Sequence, residues 1–306
     1  MASPDSVSTT PTIDSFSAGL PGAGLQVHGL QAGRAAVPLL LLHGWPEWSH
    51  AWRPVMNRLA HRFELMAPDL RGFGDTEPAV LAPSRDAGPD RHAIDLLELA
   101  DARGWQRFGV VSHDVGSFVA QALARRAPER VTGLFFFNCA YPGIGARWFA
   151  PRQVGEVWYQ FFHQLPWAAQ LVGSSREACS LYFRHFLSHW SHQQGWIERE
   201  LDTWVDHFMK PGRLQGGFNW YGSVYEARLA VIEGRTPPAA PIGIPTRVLW
   251  GAHDPVLKAE WTDRLPEFFT DLQVDVQPDA GHFVHLEQPD IAAEAITAFF
   301  KRLTAA

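Results

Sequence analysis

The segment FGVVSHDVGSFVAQALA, residues 108–124, reads as a strand, a tight turn and a helix, and the turn carries an acid, Asp114, with the small residues Ser112 and Gly116 two positions before and two after it. A side chain at the tip of such a turn stands clear of the sheet, and only small flanking residues let the backbone bend that sharply. Ser112 would have Val110 and Asp114 as flanks, and Ser117 would have Val115 and Val119, so neither serine fits the tip and a serine nucleophile is disfavoured. An aspartate between strand and helix also serves as a helix N-cap, so the segment alone leaves two readings, cap or nucleophile. A carboxylate nucleophile forms an ester, and hydrolysing that ester needs a base that titrates near neutrality, which points to a histidine.

The elements that must position such a turn follow from about Leu25, where short apolar runs alternate with turns carrying Gly, His or Asp and with amphipathic stretches. That alternation is the pattern of βα units on a mostly parallel sheet. Strands are expected at 38–42, 63–67, 108–112, 133–138, 246–250 and 273–277, with helices at 116–126 and 291–303. The alternation stops between about Tyr141 and Arg235, where Trp, Phe, His and Gln recur at helical spacing. The expected organisation is therefore an α/β core formed by 21–140 and 236–306, a helical cap inserted at 141–235, and a flexible N-terminal tail over 1–20. The stretch TPPAAPIGIP, 236–245, reads as the linker from cap to core.

With 306 residues, 46% of them hydrophobic and 19% charged, the chain can bury a large core. A net charge of -6 provides no basic face for nucleic acid or an anionic membrane, so the expected partner is a small neutral molecule met by a monomer or homodimer. The two cysteines, Cys139 and Cys179, lack metal-ligand spacing and are expected in the core of a reduced, cytoplasmic protein. The N-terminus has no basic segment followed by an apolar one, and the longest apolar run, 37–42, is too short to span a bilayer.

HGWPEWSHAW (43–52), APDLRGFGDTEP (67–78), SHDVG (112–116), GAHDP (251–255) and GHFVHLEQP (281–289), in that order, together resemble the α/β-hydrolase-fold epoxide hydrolases and their haloalkane dehalogenase relatives. The resemblance extends over nearly the whole chain from about residue 25; Ser112 departs from it, since these families usually have Gly there. It implies a mostly parallel central sheet flanked by helices and an inserted helical cap. It also implies that Asp114 is the nucleophile, His282 the water-activating base and Asp254 the acid that orients it, in the chain order of this fold. Asn138 occupies the alternative position for that acid and cannot carry the charge. His285, three residues after His282, falls outside the family position.

By the same resemblance, backbone N–H groups of Trp45 and Val115 form the oxyanion hole, and Pro46 follows a cis bond. Opening an oxirane places charge on an alkoxide, and tyrosine, protonated at neutral pH yet a competent acid, suits that task. Tyr159 in VWYQFF and Tyr221 in FNWYGSVYEA match the family's donors, with Tyr182 and Tyr225 the nearest alternatives. Trp45, Trp158, Phe162 and Trp220 are expected to line an apolar substrate pocket. The implied reaction converts a hydrophobic epoxide and water to a vicinal diol with no metal or organic cofactor. His185, His189 and His192 have helical spacing, but no carboxylate stands ready in the sequence to complete a metal site there.

Two other readings share these residues. Haloalkane dehalogenases commonly carry Trp directly after the nucleophile, where this chain has Val115, and fluoroacetate dehalogenases carry arginines nearby, where it has Val115 and Phe118. A non-catalytic ligand-binding member of the fold would be expected to have lost part of the triad or the tyrosines, and all are present.

Overall fold

Runs such as PLLLL and FGVVSH have no polar face, and in the computed structural model, which describes residues 12–237 and 239–305, they lie side by side in the middle of one sheet. Its strands are β1 (Ile13–Leu20), β2 (Leu25–Ala32), β3 (Pro38–Leu42), β4 (Glu64–Pro68), β5 (Phe108–His113), β6 (Val131–Phe137), β7 (Thr246–Gly251) and β8 (Leu272–Gln277). Their order is β1-β2-β4-β3-β5-β6-β7-β8. β1 and β2 pair antiparallel, as do β2 and β4, and every other neighbouring pair is parallel. The six expected strands are all present, 38–42 with the expected bounds and the others with an end shifted by one or two residues.

The tail expected over 1–20 is corrected for its second half. Residues 13–20 form β1, in register with β2 from Ile13 opposite Ala32 to Leu20 opposite Leu25. IDSFSAGL reads as a polar tail because an edge strand keeps one face in solvent, and its apolar positions are few. The remaining part of the expected tail, 1–11, lies outside the described residues.

The helices are α1 (Arg53–Leu59), α2 (Pro89–Ala102), α3 (Val115–Arg126), α4 (Val154–Phe162), α5 (Ala168–Val172), α6 (Arg176–Trp190), α7 (Ile197–Phe208), α8 (Arg213–Ile232), α9 (Val284–Glu287) and α10 (Pro289–Ala305). One face of the sheet packs on α1 and α10 through Trp52, Met56, Ile296, Phe299 and Phe300. The other packs on α2 and α3, and the hydrophobic cluster on that side continues into the helical segment that runs from the 3-10 turn Pro142–Phe149 through α8. Between β6 and β7 the described residues contain no strand. Cys139 and Cys179 are both buried and unpaired. No helix among the described residues is long and apolar enough to cross a membrane.

In this strand order β3 has β4 on one side and β5 on the other, so chain direction away from β3 reverses there. A crevice opens at such a switch point beyond the carboxyl ends of the strands. The loops after β3, β5, β6, β7 and β8 all emerge at that end, and they carry Trp45, Asp114, Asn138, Asp254 and His282.

Candidate active site

Asp114 follows β5 directly and has φ 48°, ψ -113°, a conformation unfavourable for a residue with a Cβ. The turn is closed by contact on both sides. A Cβ on Gly116 would come within 2.4 Å of the Leu42 carbonyl oxygen, and one on Gly44 within 2.6 Å of the Asp114 Cβ. Ser112 is fully buried and fits where the related families have Gly. The side chain of Asp114 makes no capping hydrogen bond to α3. Its Oδ1 instead accepts the N–H of Trp45, at 3.0 Å. The capping alternative is thereby set aside. Val115 opens α3 immediately behind the carboxylate, and the Trp45–Pro46 bond is cis.

His282 Nε2 lies 4.0 Å from Asp114 Oδ2 and has no hydrogen-bond partner, while Nδ1 is 2.7 Å from Asp254 Oδ2. Asp254 Oδ1 accepts the N–H groups of Val256 and Leu257, at 2.8 and 2.9 Å. Asn138 adds a clamp that was not evident from sequence. Its Nδ2 donates to Asp254 Oδ2 at 2.5 Å, and its Oδ1 accepts the Gly251 N–H at 3.1 Å. Burial works against charge on His282, but Asp254 first, then Asp114 and Glu47, outweigh it and raise its pKa to about 9.

Tyr159 on α4 and Tyr221 on α8 are both buried, with ring centres 5.4 Å apart. Trp45 ties them to the carboxylate: its ring stacks on Tyr159 at 5.1 Å and meets Tyr221 edge-on at 6.0 Å. Burial and then the charge of Asp114 raise the Tyr159 pKa, and burial, Tyr159 and Asp114 raise that of Tyr221 well above the ordinary value, so both phenols keep their protons at neutral pH. Gln160 Nε2 donates to the Tyr159 hydroxyl oxygen at 3.3 Å, leaving that O–H free to point elsewhere. The helical segment is joined to the loops below it by Trp204 Nε1 donating to the Pro46 carbonyl and by the His282 N–H donating to the Trp190 carbonyl, at 2.7 and 2.8 Å.

Beneath these groups lies a fully buried acid with two imidazoles. Glu47 Oε2 is 2.8 Å from His113 Nδ1 and accepts the Gly44 N–H at 2.9 Å, and Oε1 is 2.8 Å from His285 Nε2. His113 Nε2 is 2.9 Å from the His282 carbonyl oxygen, so both nitrogens of that ring face acceptors. Burial favours a neutral Glu47, but His113 and His285 more than offset it and hold its pKa well below the carboxylate range. The ligand atoms of these three residues lie within 4.8 Å of one another, close enough for a metal, yet the carboxylate oxygens are already taken up by the imidazoles and Gly44. Glu47 and His113 went unread in the sequence; an acid in the HGWPE turn and a histidine ending an otherwise apolar strand signal ionisable groups buried with partners.

Several expected residues lie elsewhere. Trp158 is 40% exposed and packs on Phe162, Tyr182, His185 and Phe186, and Phe162 belongs to the same cluster with Trp167 and Phe218. Each is one ring removed from Trp45 and Tyr159, Trp158 through Phe186 and Phe162 through His163. Trp220 is buried against His92 and Phe118. Tyr182 bonds His163 at 2.6 Å, and Tyr225 packs on Phe161. The three cap histidines do not converge: His189 is paired with Glu156 at 2.7 Å, a carboxylate not anticipated there, and His192 stacks on His253.

A sequence model described as the alpha/beta hydrolase fold matches residues 37–289 of this chain. The chain belongs to that family. Among curated relatives of this alpha/beta hydrolase, epoxide hydrolase 4 of Homo sapiens is 26% identical over 293 residues, covering 92% of this chain and 77% of its own length. The soluble epoxide hydrolase of Corynebacterium sp. strain C12 is 29% identical over 290 residues, covering 92% of this chain and 95% of its own. The solved structure of epoxide hydrolase CorEH without ligand superimposes with a TM-score of 0.82 at 28% identity, covering 95% of this chain and all of that one.

Proposed function

We propose that this hydrolase opens epoxides by forming a covalent ester on Asp114. The observation that carries the reading is the setting of that carboxylate: one oxygen bonded to the Trp45 N–H, the other facing a free His282 nitrogen at 4.0 Å, and two buried, protonated tyrosines under the influence of its charge. The relatives named epoxide hydrolase support the same reaction.

In the first step an Asp114 oxygen attacks a ring carbon, the C–O bond of the oxirane breaks, and the electron pair goes to an oxygen that takes a proton from Tyr159 or Tyr221. Ester formation removes the Asp114 charge, one of the influences that raise His282. The imidazole therefore becomes easier to deprotonate at the moment a base is needed. His282, oriented by Asp254, then takes a proton from a water that adds to the ester carbonyl, and the Trp45 and Val115 N–H groups stabilise the oxyanion. The acyl–oxygen bond breaks, the departing glycol oxygen takes the proton of the tetrahedral hydroxyl, His282 returns its proton to the tyrosinate left by the first step, the diol leaves, and one oxygen of the water stays in Asp114. In this reading the helices of 141–235 act as a cap that supplies the tyrosines and excludes solvent.

Incubation with styrene oxide, a haloalkane panel and fluoroacetate, assaying diol and halide in parallel, tests the reading. Diol without halide is the expected result. Halide without diol assigns the site to dehalogenation, and neither product removes the epoxide reading for this chain.

A further inference from the structure

Gln160 follows Tyr159 on α4, and its side-chain amide stands between the Tyr159 hydroxyl and Arg228 of α8. Its Nε2 donates to the Tyr159 oxygen at 3.3 Å, and its Oε1 accepts from Arg228 Nη1. Arg228 is itself held in place, with its guanidinium 4.9 Å from the centre of the Trp148 ring. All three groups are withdrawn from water, Tyr159 and Gln160 being buried and Arg228 half-buried.

The two ends of a carboxamide are alike in size and opposite in hydrogen-bonding sense. A phenol meets either end, donating to the oxygen or accepting from the nitrogen, so Tyr159 alone does not decide which way Gln160 faces. A guanidinium has only donors. Arg228 therefore admits the amide oxygen and nothing else, which turns the N–H end toward Tyr159. The Tyr159 proton is then denied an acceptor on Gln160 and stays available to an oxirane oxygen. As that proton leaves, the Gln160 bond becomes a bond to an anion, with the guanidinium charge one amide behind it. Burial and the charge of Asp114 oppose ionisation of Tyr159, while Gln160, Tyr221 and Arg228 act the other way.

We propose that Arg228 and Gln160 are positioning residues for ring opening: the cation orients the amide, and the amide directs the Tyr159 proton to the epoxide and holds the charge left on the phenol until His282 returns a proton. This rests on the epoxide hydrolase reading above and adds two residues to it. It accounts for a cation whose one hydrogen bond among the described residues goes to a neutral amide, where a carboxylate would tie α4 to α8 more strongly.

Gln160→Glu separates this role from a structural one. The carboxylate keeps the tie to Arg228 as an ion pair, but it removes the N–H and gives the Tyr159 proton an acceptor. Alkylation of Asp114 by styrene oxide, followed in single turnover by the mass of the Asp114 peptide, should slow by roughly 10- to 100-fold. The Kd obtained from the concentration dependence of that rate should change little, and the urea midpoint should not fall. In a Tyr159→Phe background the same change should have no further effect, since no proton is left to direct, whereas in Tyr221→Phe it should keep its full effect. Arg228→Met should also slow alkylation, and Arg228→Lys, again a donor only, should recover most of the loss. Equal effects of Gln160→Glu in the two tyrosine backgrounds indicate a structural role and overturn the proposal, as does a Gln160→Glu protein that alkylates at the wild-type rate. Should Arg228→Met not fold, the Gln160→Glu cycle decides by itself. A wild type that no epoxide alkylates refutes the reaction itself, whereas undiminished alkylation in the variants refutes the positioning role alone.

Discussion

The amide nitrogen of Asn138 donates to Asp254 Oδ2, the same oxygen that faces His282 Nδ1. One carboxylate oxygen thus receives a bond from the loop after β6 and one from the loop after β8, while the other is held by two backbone N–H groups. The acid has no freedom to turn away from the imidazole, and its charge is directed at it.

Removing that clamp should slow ester hydrolysis more than ester formation. Asn138 has φ 44°, so Asn138→Gly preserves the left-handed backbone while deleting the amide. Bonds to charged groups contribute about 1.5–3 kcal/mol, so a decrease in kcat of roughly 10- to 100-fold is expected. Rapid-quench kinetics should show more ester accumulated at steady state than in the wild type; an unchanged ester level would assign Asn138 to folding alone.

His282→Gln should halt the reaction at the ester. With the base gone, one equivalent of substrate mass should remain on the peptide containing Asp114, with turnover below about a thousandth of wild type. Substrate consumption without an adduct would exclude the two-step route. Asp114→Asn should give neither adduct nor diol.

The parts of this site legible in the sequence are those whose local backbone demands particular residues. Asp114 announces itself through Ser112 and Gly116 because the turn admits nothing larger, and the cis bond before Pro46 belongs to an equally local motif. Asn138, Glu47 and His113 are different. Their roles come from pairings across 116 residues for Asn138 with Asp254 and 66 for His113 with Glu47, and no local pattern encodes such a pairing. Trp158 is turned outward because it adjoins Tyr159, which points inward, and neighbours on a helix are about 100° apart, whereas Trp220 beside Tyr221 stays buried against His92 and Phe118. β1 was hidden because its solvent-facing residues resemble a tail.

The two tyrosines should be separable in the first step. Loss of one proton donor typically costs about 10²-fold, so Tyr159→Phe and Tyr221→Phe should each slow ester formation by that order, and the double variant should abolish it with the fold intact. Circular dichroism and single-turnover alkylation measure the two effects separately. An alkylation rate unchanged in the double variant would remove both tyrosines from the mechanism.

Glu47 is expected to matter for stability before activity. Its carboxylate is fully buried and satisfies His113, His285 and the Gly44 N–H at once. Glu47→Leu leaves these donors buried without an acceptor, and breaking a buried charged network typically costs about 3–5 kcal/mol. Urea unfolding should show the midpoint falling with no change in m. Because His113 also bonds the His282 carbonyl, whatever folded protein remains should have reduced kcat. A Glu47→Leu protein with wild-type stability would mean that the network is dispensable.

His282 also makes a prediction about pH and stability. Its folded-state pKa is about 9 against an ordinary 6.5, so the folded state holds this proton more tightly than the unfolded chain does. The resulting stabilisation is fully present below pH 6.5 and is lost as pH rises through 9. A shift of this size corresponds to roughly 3 kcal/mol for a buried group. Other groups titrate in the same interval, so the quantity to measure is the difference between wild type and His282→Gln, by urea unfolding at pH 6 and at pH 9.5. The wild type should lose more stability across that interval than the variant. Asp254→Asn, which removes the strongest influence raising His282, should flatten the wild-type dependence; equal pH slopes in all three proteins would mean that Asp254 and Asp114 do not hold the imidazole in its charged form.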